Sequence, residues 1–153
     1  MKAAALYHTG IVVEHFDATL AWFTRTAGYQ WCEPYAGDVT VTTPAGEVVV
    51  PMRISYSVNE PRLEILQAVP GTLWMPADSG VHHLGYWSDD VDADLRTLVS
   101  EGLTVEAQAP LPDGSLMWAY CKAPTGPRVE LVSRVIEPAL TQMFASARAD
   151  SAS

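Results

Sequence analysis

The segment His8–Phe23, HTGIVVEHFDATLAWF, can be laid on His83–Leu98, HLGYWSDDVDADLRTL, without a gap. His8 then meets His83, Gly10 meets Gly85, Asp17 meets Asp92, Ala18 meets Ala93 and Leu20 meets Leu95. An internal repeat of this length restricts the chain to folds assembled from two copies of one small unit.

The secondary-structure signals repeat with it. A strand carrying the histidine is followed in each half by a helix, with Asp17 and Asp92 as expected N-caps, and Gly28 and Gly102 expected just past the helix ends. Three extended runs follow in each half. In the first they are about Tyr29–Pro34, continuing toward Thr42, then Val48–Tyr56 and Arg62–Ala68; in the second, Leu103–Ala107, Ser115–Lys122 and Arg128–Arg134. Turn signals PAGE, SVNEP, PLPDG and APTGP lie between them. The expectation is an α+β fold of two βαβββ modules, about residues 3–70 and 80–135, forming a single domain over 1–135 and joined by PGTLWMPADSG. Residues 136–153 then supply a C-terminal amphipathic helix starting near Pro138 and a frayed tail, DSAS.

The last strand of each half raises a physical question. PRLEIL and PRVELV each set one glutamate, Glu64 or Glu130, among aliphatic residues in mid-strand, where a lone carboxylate is costly to bury. Alternation puts His8 with Gly10 on one face of the first strand, and His83 with Gly85 and Trp87 on one face of its counterpart. Pseudo-symmetric pairing of the modules can therefore gather two imidazoles and two carboxylates. That set suits one divalent ion, Ni²⁺, Co²⁺, Zn²⁺, Mn²⁺ or Fe²⁺, and such an ion would remove the cost of burying both glutamates.

Composition narrows the partners. With 153 residues, a formal charge of −9 and nine lysines plus arginines, the chain lacks the basic footprint that nucleic acid or anionic membranes require. No apolar run is long enough to span a bilayer and MKAAALYHTG reads without an export signal, so the expected setting is a reducing cytoplasm. Cys32 and Cys121, far apart and without CxxC spacing, read as buried or half-buried thiols.

The motifs YHTGIVV, RLEIL, GVHHLGYWSDDVDA and PTGPRVELV, set in repeated βαβββ modules, resemble the vicinal oxygen chelate superfamily. It includes glyoxalase I, methylmalonyl-CoA epimerase, extradiol dioxygenases and the bleomycin and fosfomycin resistance proteins. The resemblance covers about residues 3–134 and implies the glyoxalase/bleomycin resistance-like fold, a curved mixed sheet around a metal site. Residue by residue, it assigns His8, Glu64, His83 and Glu130 to the four metal positions of glyoxalase I. Such a site leaves two adjacent positions for a bidentate oxygen substrate and stabilises an enolate. It further implies that Glu130, or else Glu64, is the catalytic base, and that the protein is a homodimer. The apolar stripe Leu140, Met143, Phe144 and Ala147 on the last helix offers a contact for that dimer.

The resemblance also separates the reactions. The usual glutathione-binding arginine and asparagine of glyoxalase I fall on Val12 and Ala68, and the nine cations look too scattered for CoA phosphates. The additional glutamate of methylmalonyl-CoA epimerase falls near Met52, and extradiol dioxygenases use three ligands where this chain offers four. The expected function is a metal-dependent isomerase, epimerase or lyase acting through an enolate on a small, fairly apolar substrate of specialised metabolism. The alternatives are glyoxalase I, the epimerase itself, or a non-catalytic small-molecule binding protein.

The remaining expectations concern the walls. Hairpins closing Tyr56 on Arg62 and Lys122 on Arg128 would set Ile54 opposite Glu64 and Tyr120 opposite Glu130, with Met52 and Trp118 one step along. Trp87 is a further wall residue, while Trp22 and Phe23 read as core. Either His82 or His83 is a possible ligand by type; alignment with His8 chooses His83, and alternation sends His82 to the opposite face. His15 reads as a surface residue, and the Asp89, Asp90, Asp92, Asp94 run as helix capping and solvation rather than a calcium loop.

Overall fold

A computed structural model describes residues 1–151, the side chains of residues 150 and 151 excepted. In chain order its elements are β1 (Leu6–Val13), α1 (Phe16–Ala27), β2 (Tyr35–Thr43), β3 (Gly46–Tyr56), β4 (Leu63–Gln67), β5 (His83–Ser88), α2 (Val91–Ser100), β6 (Thr104–Pro110), β7 (Leu116–Lys122), β8 (Arg128–Ser133) and α3 (Glu137–Ser151). Short 3-10 turns occupy Ala3–Ala5 and Arg134–Ile136. Each half thus reads βαβββ, as the repeat predicts.

In both halves the first strand runs parallel to the last and the remaining pairings are antiparallel, giving the order β1-β4-β3-β2 and β5-β8-β7-β6. The halves join through antiparallel β1 and β5. The expected curved sheet goes one step further and closes into a barrel, because Thr42 on β2 pairs with Gln108 on β6. Two faces result. Val41, Val50, Met52, Leu66 and Trp74 fill the interior, with Trp74 inserted from the segment that links the modules. Outside, Val91 and Leu98 of α2 cover Ala119, Cys121 and Leu131.

Several local expectations are corrected. Asp17 does not cap α1, whose N-cap is His15; it grips Arg53 instead through two bonds of 2.9 and 2.7 Å. The α2 cap is Asp90, which accepts from the Ala93 amide, not Asp92. Tyr29–Pro34 forms no regular strand, because its backbone meets the end of β3 and the following loop through scattered bonds, among them Cys32 to Tyr56, Val58 to Gln30, Gln30 to the Asn59 side chain and the Trp31–Ser57 bridge, and not through a continuous ladder. The strand starts at Tyr35, where continuous pairing with β3 begins. Trp22 is 50 % exposed rather than core, since α1 buries only Phe16.

The apolar stripe of α3 is used within the chain. Leu140, Met143, Phe144 and Ala147 pack on Cys32, Val58 and Tyr56, and the Arg62 guanidinium lies 3.7 Å from the Phe144 ring centre. The stripe therefore packs against its own chain, with Phe144 buried and Leu140, Met143 and Ala147 half-buried. Of the expected frayed tail, Asp150 and Ser151 are still helical, and Ala152 and Ser153 lie outside the described residues. No helix among the described residues is long and apolar enough to cross a membrane.

Candidate functional site

The two histidines and two glutamates meet where β1 and β5 cross-pair. Register places Gly10 opposite both Glu64 and His83, and Gly85 opposite both Glu130 and His8. Each histidine therefore stands over the other module's glycine. A Cβ on Gly10 would lie 1.9 Å from the His83 ring, and one on Gly85 would lie 2.0 Å from the His8 ring. Glycine is required at both positions by space, not by backbone angle.

The four functional atoms converge closely. His8 Nε2 is 2.9 Å from His83 Nε2, 3.4 Å from a Glu64 oxygen and 3.1 Å from a Glu130 oxygen. His83 Nε2 is 2.9 Å from the same Glu64 oxygen and 3.4 Å from the Glu130 oxygen. All four residues are buried, and one ligand atom from each lies within 4.8 Å of the others. For bonds of about 2.1 Å to a divalent ion, neighbouring ligand atoms of a tetrahedral or octahedral centre stand roughly 3.0–3.4 Å apart. The spacing fits such an ion, and His8, Glu64, His83 and Glu130 could hold it.

The electrostatics state the same need for positive charge. Burial alone would lower the His8 pKa, but Glu64 first and Glu130 next overcome it and raise it to about 9. His83 moves up for the same reason. Burial would raise the glutamates, yet His8 and His83 hold both below the usual carboxylate range. Two carboxylates at this depth demand either protonated imidazoles or a bound cation.

A cavity of about 90 Å³ reaches the cluster through Glu64 and Glu130, which both line it. Met52, Ile54, Trp118 and Tyr120 line it, as expected, but the register that placed Ile54 is corrected. Ile54 pairs with Leu66, and it is Tyr56 that stands opposite Glu64. The hairpin closes one pair later because Ser57 joins the ladder. Its amide donates to the Leu63 carbonyl, and its hydroxyl accepts from the Leu63 amide. Tyr120 does pair with Glu130. A tyrosine thus faces each glutamate across the strands, and each tyrosine also meets a histidine edge-on: Tyr56 with His8 at 5.7 Å and Tyr120 with His83 at 5.0 Å. Burial, then Glu64, pushes Tyr56 well above the ordinary phenol range; for Tyr120 the causes are burial, then Glu130.

Trp87 does not line this cavity. It stacks on Tyr7 at 4.0 Å and faces a larger cavity of about 560 Å³ under α3. Tyr7 lines both cavities and stands between them. It faces inward because β1 carries one residue more than β5 between the pairs Leu6–Tyr86 and His8–Gly85, so Tyr7 sits in a bulge. The outer cavity also gathers Arg62, Arg134 and Arg148, so the cations are less scattered than the sequence implies. Two of them are paired there with carboxylates, Arg62 with Glu60 and Arg134 with Glu137, while Arg148 donates to the Val58 carbonyl.

His82 is the main surprise. Only 1 % exposed, it lies against His83 rather than on the far face, with the two Nδ1 atoms 2.9 Å apart. The segment after β4 folds over it, and its Nε2 meets the Leu73 carbonyl at 2.9 Å. Burial lowers its pKa to about 4. His15 is exposed, as expected. Tyr7, Tyr56, Trp74 and His82 are the site residues that the sequence does not reveal; a closer reading of SVNEP, where Ser57 can extend the ladder, would have found Tyr56.

Comparison with known proteins gives a consistent picture. A family model described as the glyoxalase/bleomycin resistance protein/dioxygenase superfamily matches residues 7–121. No curated protein sequence matches significantly. A Streptomyces coelicolor methylmalonyl-CoA epimerase variant solved with 2-nitronate-propionyl-CoA superposes with a TM-score of 0.60 at 20% identity, covering 84% of this chain and 96% of that one. The epimerase from Mycobacterium tuberculosis gives 0.56 at 18% identity, covering 87% and 92%. A 4-hydroxymandelate synthase mutant from Streptomyces coelicolor gives 0.55 at 16% identity, covering 84% of this chain and 38% of that one. These likenesses establish the shared fold.

Proposed function

The chain belongs to the glyoxalase/bleomycin resistance protein/dioxygenase superfamily, and from that premise we propose a divalent-metal-dependent enzyme, an isomerase, epimerase or lyase that works through an enolate. The observation that carries this reading is the spacing of 2.9–3.4 Å between each histidine Nε2 and its neighbours in the buried four-residue cluster. His8, Glu64, His83 and Glu130 would hold one ion of the Ni²⁺, Co²⁺, Zn²⁺, Mn²⁺ or Fe²⁺ type. When bound, it would supply Lewis-acid polarisation of a substrate carbonyl, which would make the neighbouring carbon acidic.

The residues of the chain supply the rest. Glu130 takes and returns the proton. Both carboxylates border the inner cavity, and Glu130 is the more open of the two, 6 % exposed against 2 % for Glu64. Glu64 stays as the second carboxylate of the centre. Met52, Ile54, Trp118 and Tyr120 exclude water from the reacting carbon, with Tyr7, Tyr56 and Trp74 completing the wall. The inner cavity admits only a chelating head of a few atoms, and the body of the substrate extends past Tyr7 and Trp87 into the outer cavity. The substrate class is a small molecule with two neighbouring oxygens on a mainly apolar frame.

The test is solvent deuterium exchange. Metal-loaded protein is incubated in D₂O with a panel of hydroxyketones, 1,2-dicarbonyls and oxo acids, and exchange at the carbon beside the carbonyl is followed by proton NMR. Exchange of at least one compound, abolished by stripping the metal, is expected. Tight binding of panel members with no exchange by the loaded protein would make this a binding protein instead.

A further inference from the structure

The contact between His82 and His83 fixes where protons lie. The Leu73 carbonyl 2.9 Å from His82 Nε2 can only accept, so that nitrogen carries a hydrogen. The two Nδ1 atoms, 2.9 Å apart, share one proton between them. A neutral imidazole already protonated at Nε2 has a bare Nδ1, which leaves His83 as the donor. His83 Nδ1–H then points to His82, so that in the neutral ring a metal ion requires, the lone pair of His83 is on Nε2, the atom that faces His8, Glu64 and Glu130.

We propose that His82 is a positioning residue that fixes the tautomer and ring orientation of His83, anchored by the Leu73 carbonyl. The inference rests on reading the four buried residues as a metal centre. Its anchor is held by local bonds: the Leu73 carbonyl also accepts from the Met75 amide at 2.9 Å, and Thr72 ties this turn to Val69 and Trp74. The segment that links the two modules is thereby part of the site.

The first module has no equivalent. The position matching His82 is Tyr7, which sits in the β1 bulge, and His8 Nδ1 is buried with no hydrogen-bond partner among the described residues. His83 is held from behind and His8 is not. Outer partners of this kind change metal affinity by about 10–100-fold when removed.

The test uses the full chain and two readouts. In ¹⁵N-labelled wild-type protein, a scalar coupling across the hydrogen bond between the Nδ1 atoms of His82 and His83 is expected, whether or not metal is present. Its absence would overturn the proposal. Cobalt is then titrated into wild type, His82→Leu and His82→Gln, with the visible spectrum of the bound ion recorded. His82→Leu should bind cobalt about 10–100-fold more weakly with an altered spectrum, and His82→Gln, which keeps one acceptor and one donor, should restore most of both. Unchanged affinity and spectrum in His82→Leu, or no rescue by glutamine, would also overturn it. A wild-type protein that takes up no cobalt contradicts the metal reading, and the coupling then still decides whether His82 holds His83.

Discussion

Gly10 on β1 stands directly across from His83 on β5, and the imidazole occupies the space a Cβ would need, 1.9 Å from the ring. Gly85 and His8 repeat the arrangement at 2.0 Å. Gly10→Ala should therefore displace His83 rather than strain the main chain. We expect a loss of about 1–3 kcal/mol in stability, typical of overpacking, with metal affinity falling roughly tenfold or more. Calorimetric metal titration of a variant whose fold is checked by circular dichroism measures both. Unchanged affinity would show that the close approach does not hold the ligand set.

The alkaline side of the stability–pH profile should differ with and without metal. In the metal-free protein His8 is raised from 6.5 to about 9, so its contribution is fully present below about pH 6.5 and is lost as pH rises through 9. Glu64 and Glu130 are lowered, so theirs is present above the ordinary carboxylate range, about 4.3, and is lost as pH falls below it. Metal binding needs the imidazoles bare, so loaded protein should keep its stability up to pH 9 and release metal on acidification. Melting temperatures across pH 4–10, with and without a chelator, give the comparison. Parallel profiles would contradict it.

The two glutamates should prove unequal. Glu130→Gln keeps an oxygen donor but cannot accept a proton, so exchange at the substrate carbon should fall by roughly two orders of magnitude or more. Glu64→Gln should be milder. With metal content verified in both, NMR-detected deuterium exchange is the readout. Exchange surviving in Glu130→Gln and vanishing in Glu64→Gln would reverse the roles.

Phe144 joins α3 to the first module, between the Arg62 guanidinium and the Cys32–Val58 cluster. Phe144→Ala should cost roughly 3 kcal/mol and expose the outer cavity beneath α3, with little effect on metal content. Denaturant unfolding followed by tryptophan fluorescence tests the cost. A negligible change would mean that the helix is held by other contacts.

How far the sequence could be read depended on the kind of signal. The repeat is a direct consequence of two superposable modules, so the strand–helix–strand order, the four buried ligand-type residues and the Tyr120–Glu130 pair were legible. The first hairpin was not, because the Ser57 hydroxyl adds a rung that turn residues alone do not announce, moving Tyr56 opposite Glu64. Tyr7 depends on a bulge with no signature in LYHTG. His82 depends on a linker that has no copy in the other half, so alternation, which is a rule about isolated strands, misplaced it. The closure of the barrel at Thr42 and Gln108 is likewise a tertiary event.

The central claim is that His8, Glu64, His83 and Glu130 form one metal centre. Elemental analysis of protein reconstituted with Ni²⁺, Co²⁺, Zn²⁺, Mn²⁺ or Fe²⁺ and freed of loose ions tests it most directly. The account predicts about one divalent ion per chain in the wild type, strongly reduced in His83→Ala and Glu64→Ala and unchanged in His15→Ala, whose side chain is exposed. A wild-type protein that retains none of these ions, or the same occupancy in all three variants, would contradict it.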